Sequence, residues 1–163
     1  MLHGLARTRA LWMVWATLAT LHLVGCAGLD ELDGSIKDQL SLAFDRIEAL
    51  GQQDALVINY RRGEREIVAK IVVTTDDTDL TDKKLEGPEF LTRVALSRSV
   101  IKNDQFPEIL SGELTFSAYS TRPGDPISGE FTITFKGGDG LAGRFKATVL
   151  TDQTDPPPAD TKK

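Results

Sequence analysis

From Gly129 to Lys136, the apolar residues Phe131, Ile133 and Phe135 alternate with Glu130, Thr132, Thr134 and Lys136. Successive side chains on a strand point to opposite faces, so this period of two describes a strand with one buried face and one wet face. Gly137-Gly138-Asp139-Gly140 follows, a run that tolerates positive φ and lets the chain reverse tightly. Leu141, Gly143, Phe145, Ala147 and Val149 then occupy one face of a returning strand, opposite Ala142, Arg144, Lys146 and Thr148. The spacing predicts a β-hairpin.

The same grammar recurs upstream. Leu114, Phe116 and Ala118 alternate before the turn Arg122-Pro123-Gly124-Asp125-Pro126. Ser111-Gly112-Glu113-Leu114-Thr115-Phe116 is echoed in pattern by Ser128-Gly129-Glu130-Phe131-Thr132-Ile133, which fits recurring strand geometry in one sheet and is too brief for a repeat architecture. Ala55–Arg61 and Arg65–Thr74 read as a second hairpin around Arg62-Gly63-Glu64. Leu56, Ile58 and Tyr60 line one face of it, and Ile67, Ala69, Ile71 and Val73 line another. Leu91–Val100 reads as a further strand. Ser35–Leu50 supports two readings. Ile36, Leu40, Ala43, Phe44, Ile47 and Leu50 fit a helical face, with Ser35 and Asp38 in a capping-box pattern and Gly51 as a stop, whereas Leu40, Leu42 and Phe44 alternate like a strand. Strands with turn signals between them, and few helical stretches, predict a mainly β fold. The expected form is an antiparallel β-sandwich or small barrel of about six to eight strands.

The chain begins with a basic segment (Arg7, Arg9), an apolar run from Ala10 to Val24, and a small residue before its single cysteine, Cys26. This is the layout of a secretory signal. The apolar run is short of the roughly 20 residues that a membrane span requires, and Thr17, Thr20 and His22 interrupt it. Leu23-Val24-Gly25-Cys26 resembles the lipobox of bacterial lipoproteins, in which the cysteine is acylated and becomes the mature N-terminus. The resemblance implies lipidation at Cys26 and membrane attachment through its acyl chains. One chain holds a protein only reversibly, and lipoproteins carry more than one. In Gram-negative families an Asp after the cysteine commonly retains the protein in the inner membrane. Ala27 therefore points to the outer membrane. The expected organisation is a signal peptide over 1–25, a tether over 26–34, a β-domain over 35–150, and a polar, Pro-rich tail over 151–163 that stays disordered.

Cleavage before Cys26 removes Met1, Met13, Trp12, Trp15, His3 and His22, which are all the Met, Trp and His in the sequence. Without His, a serine or cysteine nucleophile loses its usual general base. Without His or a free thiolate, zinc and copper sites lose their usual ligands, and only oxygen-ligand cations stay open. Disulfides are excluded, so burial must stabilise the fold. Loss of Arg7 and Arg9 leaves 17 basic against 24 acidic side chains, a balance of −7. Such a surface repels nucleic acid, and the expected partners are a membrane and a protein.

Three clusters carry chemistry-bearing residues. Asp76, Asp77, Asp79 and Asp82 crowd the stretch TTDDTDLTD, where carboxylates could converge on calcium. The stretch lacks the Gly and distal Glu of an EF-hand loop, and a solvated acidic loop accounts for it. Arg61, Arg62 and Arg65 flank Gly63, an arrangement suited to an anion, with Glu64 and Glu66 set to neutralise it. Asp and Glu are plentiful enough for a paired-carboxylate hydrolase, but sequence singles out no pair.

Gly34-Ser35-Ile36, Leu42-Ala43-Phe44-Asp45-Arg46-Ile47, Gly129–Phe135 and Gly143-Arg144-Phe145 give residues 34–150 a loose resemblance to uncharacterised lipoproteins of predatory soil bacteria. The resemblance implies a strand from about Gln39 to Ile47 and no activity. The leading expectation is a non-enzymatic, cofactor-free lipoprotein whose β-domain is an interaction or structural module of the cell envelope. A binder of a small lipid or saccharide is the alternative, and a carboxylate-based hydrolase comes third. Concavity separates the first two: a filled interior favours a module, and an apolar cavity with a few polar groups favours a binder.

Overall fold

The computed structural model describes residues 30–76, 78–100 and 104–151. The signal segment, Cys26, Asp77 and the tail beyond Thr151 lie outside the described residues. The fold is mainly β. Its strands are β1 (Glu31–Asp33), β2 (Arg46–Gly51), β3 (Ala55–Arg62), β4 (Glu66–Thr74), β5 (Lys84–Glu86), β6 (Val94–Ser99), β7 (Ile109–Ala118), β8 (Pro126–Phe135) and β9 (Gly140–Thr151). One helix, α1 (Gly87–Arg93), separates β5 from β6. Eight strands run in the order β5-β7-β8-β9-β2-β3-β4-β6, and β1 pairs with β9 beside them. The sheet curls so that its two halves face each other across one core.

The predicted hairpin is β8–β9, with Phe131 opposite Gly143 and Ile133 opposite Leu141. Its inward face is the expected one: Phe131, Ile133, Phe135, Leu141 and Phe145 are all buried. Glycine opposite a ring recurs here. A Cβ on Gly143 would come within 2.5 Å of the Phe131 ring, and one on Gly129 within 2.7 Å of the Phe145 ring. Each bulky ring therefore lies over a strand position that has no side chain. From the other half, Leu56, Ile58 and Tyr60 of β3 and Ala69, Ile71 and Val73 of β4 point into the same core. Tyr60 meets Phe131 edge-on with centroids 6.2 Å apart, and Phe116 meets Phe145 at 5.6 Å, a favoured aromatic geometry.

Several expectations require correction. Among the named strands the antiparallel rule has one exception: β2 runs parallel to β9, with Ala49 opposite Val149. The tether is not free of structure, because Glu31–Asp33 forms β1 against β9 and buries Leu32. Ser35–Leu50 is neither a long helix nor a strand from Gln39. Ser35–Asp38 forms a single 3₁₀ turn, Ser41–Phe44 has no regular structure, and the strand starts at Arg46. Ile36, Leu40 and Leu42 all point inward there, while Asp38, which shares their parity and would face inward on a strand, is exposed, and the three join the core from outside any strand or long helix. Ser35 Oγ accepts the Gly140 N–H at 2.8 Å, fastening this segment to the β8–β9 turn.

Leu91–Val100 is not all strand. Pro88 sits in the first turn of α1, where its fixed φ suits a helix and its missing N–H costs nothing, and Phe90 is fully buried. In β4 the register shifts between Tyr60 and Arg61 of its partner strand, so Val68 and Ala69 are both fully buried while Ile67 is only half-buried. An extra residue in one strand changes which face its neighbours take.

Candidate functional site

The outward face of β1, β9, β8 and β7 carries a charged concavity. Glu31 and Asp33 come from β1, Ala142 and Arg144 from β9, Glu130 and Thr132 from β8, and Glu113 and Thr115 from β7. These positions are the outward half of the alternation that buries Phe131 and Phe145, so strand parity places them together. They border an open groove of about 340 Å³. A second groove of about 480 Å³, between Glu86, Pro88 and Ser111, shares Glu113 and Thr132 with it and extends it toward α1.

Two cations organise these carboxylates. Arg144 lies 3.8 Å from Glu31 and 3.7 Å from Glu130, and Lys84 lies 2.8 Å from Glu86 and 3.0 Å from Glu113. The Glu86 and Glu113 hydrogen bonds hold the Lys84 ammonium above its ordinary pKa. All of these side chains stand in solvent, so each pair contributes little to stability. The groove offers carboxylates and threonine hydroxyls to a partner's donors. Its carboxylates are screened, exposed and matched with cations, unlike the desolvated carboxyl that acid catalysis calls for.

The acidic loop is organised by its own chain. Asp79 Oδ1 accepts the Thr81 N–H at 2.8 Å and the Thr81 hydroxyl at 2.7 Å. Those bonds, the backbone one first, lower its pKa. Asp76 approaches Arg93 at 3.8 Å, and Asp82 is exposed in the left-handed region at φ 56°. Asp77 lies outside the described residues. Among the described residues, no three Asp, Glu, His or Cys side chains come together as a metal site. Asp79 instead lines a polar concavity of about 550 Å³ with Thr75, Tyr119, Ser120, Arg122 and Asp125.

Two of the three arginines at this turn are paired, one of them with an expected partner, Glu66, and one with a residue of another strand. Arg61 pairs with Glu48 of the neighbouring strand at 2.9 Å, and Arg62 pairs with Glu66. Glu64 contributes only its backbone carbonyl, to Arg61.

Sequence reasoning missed Arg98. It occupies the inward position after Val94 and Leu96 on β6 and is only 6% exposed. Its Nε and Nη1 are buried without a hydrogen-bond partner, Nη2 reaches the Ser41 carbonyl at 3.4 Å, and the guanidinium stacks 5.4 Å from the Phe106 ring centroid. Desolvation lowers its pKa. Strand parity was the available signal, since 94, 96 and 98 share a face.

No protein-family model matches this chain, and neither does any curated protein or solved structure.

Proposed function

We propose that this chain is a lipoprotein anchored through acyl chains on Cys26, with a non-enzymatic β-domain that serves as an interaction or structural module at the outer membrane. The single observation that supports a module over a small-ligand binder is the filled interior. Tyr60, Phe116, Phe131, Phe135 and Phe145 occupy the space between the two halves of the sheet, at 3% exposure or less. The concavities described above open outward and mix charged and hydroxyl side chains with a few apolar ones, Phe131 and Ala142 in the first and Pro88 in the second, unlike an enclosed apolar ligand site. A protein partner is recognised at the groove of Glu31, Glu113, Glu130 and Thr132, where an extended polar face presents acceptors. The groove's excess of carboxylates fits the absence of a nucleic-acid role.

The test is membrane fractionation of Cys26→Ala. Loss from the membrane fraction, with the β-domain still folded, is the expected result. A variant that remains in the membrane pellet contradicts the anchor.

A further inference from the structure

Three connections meet at one end of the curled sheet. Because β2 runs parallel to β9, the β2–β3 turn, the segment after β4 and the β7–β8 turn all leave the sheet on the same side. Gln53 comes from the first, Thr75 and Asp79 from the second, and Tyr119, Arg122 and Asp125 from the third. They border the polar concavity of about 550 Å³. Small-ligand sites occupy roughly 300–1,000 Å³ and recur at the mouths of β-barrels.

Backbone contacts fix its walls. The Gly124 N–H donates to the Val149 carbonyl at 2.8 Å, and the Val149 N–H donates to the Asp125 carbonyl at 2.9 Å, which clips the β7–β8 turn to β9. Gly51 lies so close to the Thr121 carbonyl that a Cβ there has no room. On the other wall, the Thr75 N–H donates to the Asp54 carbonyl at 2.9 Å and the Asp82 N–H to the Phe116 carbonyl at 2.8 Å.

The side chains are oriented as well. Asp79 accepts both Thr81 bonds on Oδ1, and Asp125 accepts the Ser120 hydroxyl on Oδ2 at 2.7 Å, so each carboxylate is held by one oxygen and presents the other. Tyr119 meets the buried Phe116 edge-on, with centroids 5.1 Å apart. Thr75 is only 6% exposed, yet its hydroxyl has no hydrogen-bond partner among the described contacts. The Arg122 guanidinium has no ion-pair partner among them either.

We infer that this mouth binds a neutral saccharide. A sugar hydroxyl both donates and accepts, and the lining answers in kind: the carboxylate oxygens accept, Arg122 and Gln53 donate, and Thr75 does either. Tyr119 adds an aromatic ring whose apolar body suits the C–H faces of a sugar. Two carboxylates against one guanidinium repel an anionic ligand, and the cost of desolvating this lining refuses a hydrocarbon chain. The site is separate from the groove of Glu31 and Glu130 and does not depend on the anchor.

The experiment is saturation-transfer difference NMR on the full-length protein in micelles of a sugar-free zwitterionic detergent. The probes are maltose, cellobiose and N,N′-diacetylchitobiose at millimolar concentration, with glucose 1-phosphate as the anionic comparison. The expected result is transfer to at least one disaccharide, exceeding that to glucose 1-phosphate. It should be lost in Thr75→Val and in Arg122→Gln and kept in Thr132→Ala, which alters the groove instead. Arg122 is exposed, so Arg122→Gln should retain the circular dichroism of the parent and decides the matter even where Thr75→Val fails to fold. No transfer to any disaccharide, stronger transfer to glucose 1-phosphate, or undiminished transfer in a folded Arg122→Gln overturns the inference.

Discussion

Tyr60 on β3 donates its phenolic hydrogen to the backbone carbonyl of Arg144 on β9, at 2.8 Å and across 84 positions of sequence. The bond links the two facing halves of the sheet, and the ring beneath it packs against Phe44 and Phe131. A fully buried hydroxyl needs such a partner. Arg144 also directs its side chain outward to Glu31 and Glu130, so one residue ties the core to the groove.

Burial, and secondarily the charge of Asp30, push the Tyr60 phenol above its ordinary pKa of 10.0. The raised value favours the neutral phenol in the fold. Its contribution is therefore complete below about pH 10 and is lost as rising pH ionises the unfolded chain. Denaturant titrations should show stability falling above pH 10, with a shallower fall in Tyr60→Phe. That variant should lose about 1 kcal/mol at pH 7, through the missing hydrogen bond. Identical pH slopes for both proteins would contradict the buried phenol.

Gly143→Ala should destabilise the domain, because its methyl group meets the Phe131 ring. Phe131→Ala alone should cost about 3 to 5 kcal/mol. Thr132→Ala, one position along on the wet face, should stay within about 1 kcal/mol. The double variant Gly143→Ala, Phe131→Ala should lose less than the sum of the two, since truncating the ring removes the clash. Strict additivity in urea melts would show that the ring and the glycine do not share this space.

Arg98 and Arg93 make a matched comparison. Arg93 donates to the Thr74 carbonyl at 3.1 Å and pairs with Glu89 at 3.1 Å, leaving one buried nitrogen, Nη2, without a hydrogen bond, whereas Arg98 leaves two, Nε and Nη1, and has no ion pair among the described contacts. Arg98→Met should leave stability unchanged or raise it by about 1 kcal/mol, because an uncompensated buried charge is replaced by an apolar chain of similar length. Arg93→Met should lower stability by about 1 kcal/mol. A clear loss in thermal melts of Arg98→Met would mean that its guanidinium is compensated after all.

The acidic loop should be indifferent to calcium. Asp79 is occupied by Thr81, so millimolar calcium should leave the melting temperature unchanged. Binding to the native state would raise it. A calcium-dependent rise that disappears in Asp77→Asn, Asp79→Asn would place a metal there.

The legible parts of this fold were those where period and turn chemistry agree. Phe131 to Phe135, the glycines of residues 137–140 and Leu141 to Val149 specify their hairpin and its buried face together. The echo of Ser-Gly-Glu at 111 and 128 also had a structural meaning: Gly112 and Gly129 both lie beneath aromatic rings, while Glu113 and Glu130 face outward into the groove. Where tertiary contacts outweigh local pattern, the sequence was silent. Ile36, Leu40 and Leu42 are recruited by the open end of the core, not by a helix or strand of their own. Val68 is turned inward by a bulge that no residue type announces. The groove was hidden because it unites residues of four strands, and the parallel meeting of β2 with β9 could not be read from either strand alone.

The most direct measurement of the central claim is the intact mass of the protein extracted from membranes. The account predicts a chain that begins at Cys26 and carries the added mass of more than one acyl chain on that residue. A chain with an unmodified Cys26 thiol, or one that retains residues 1–25, would contradict it.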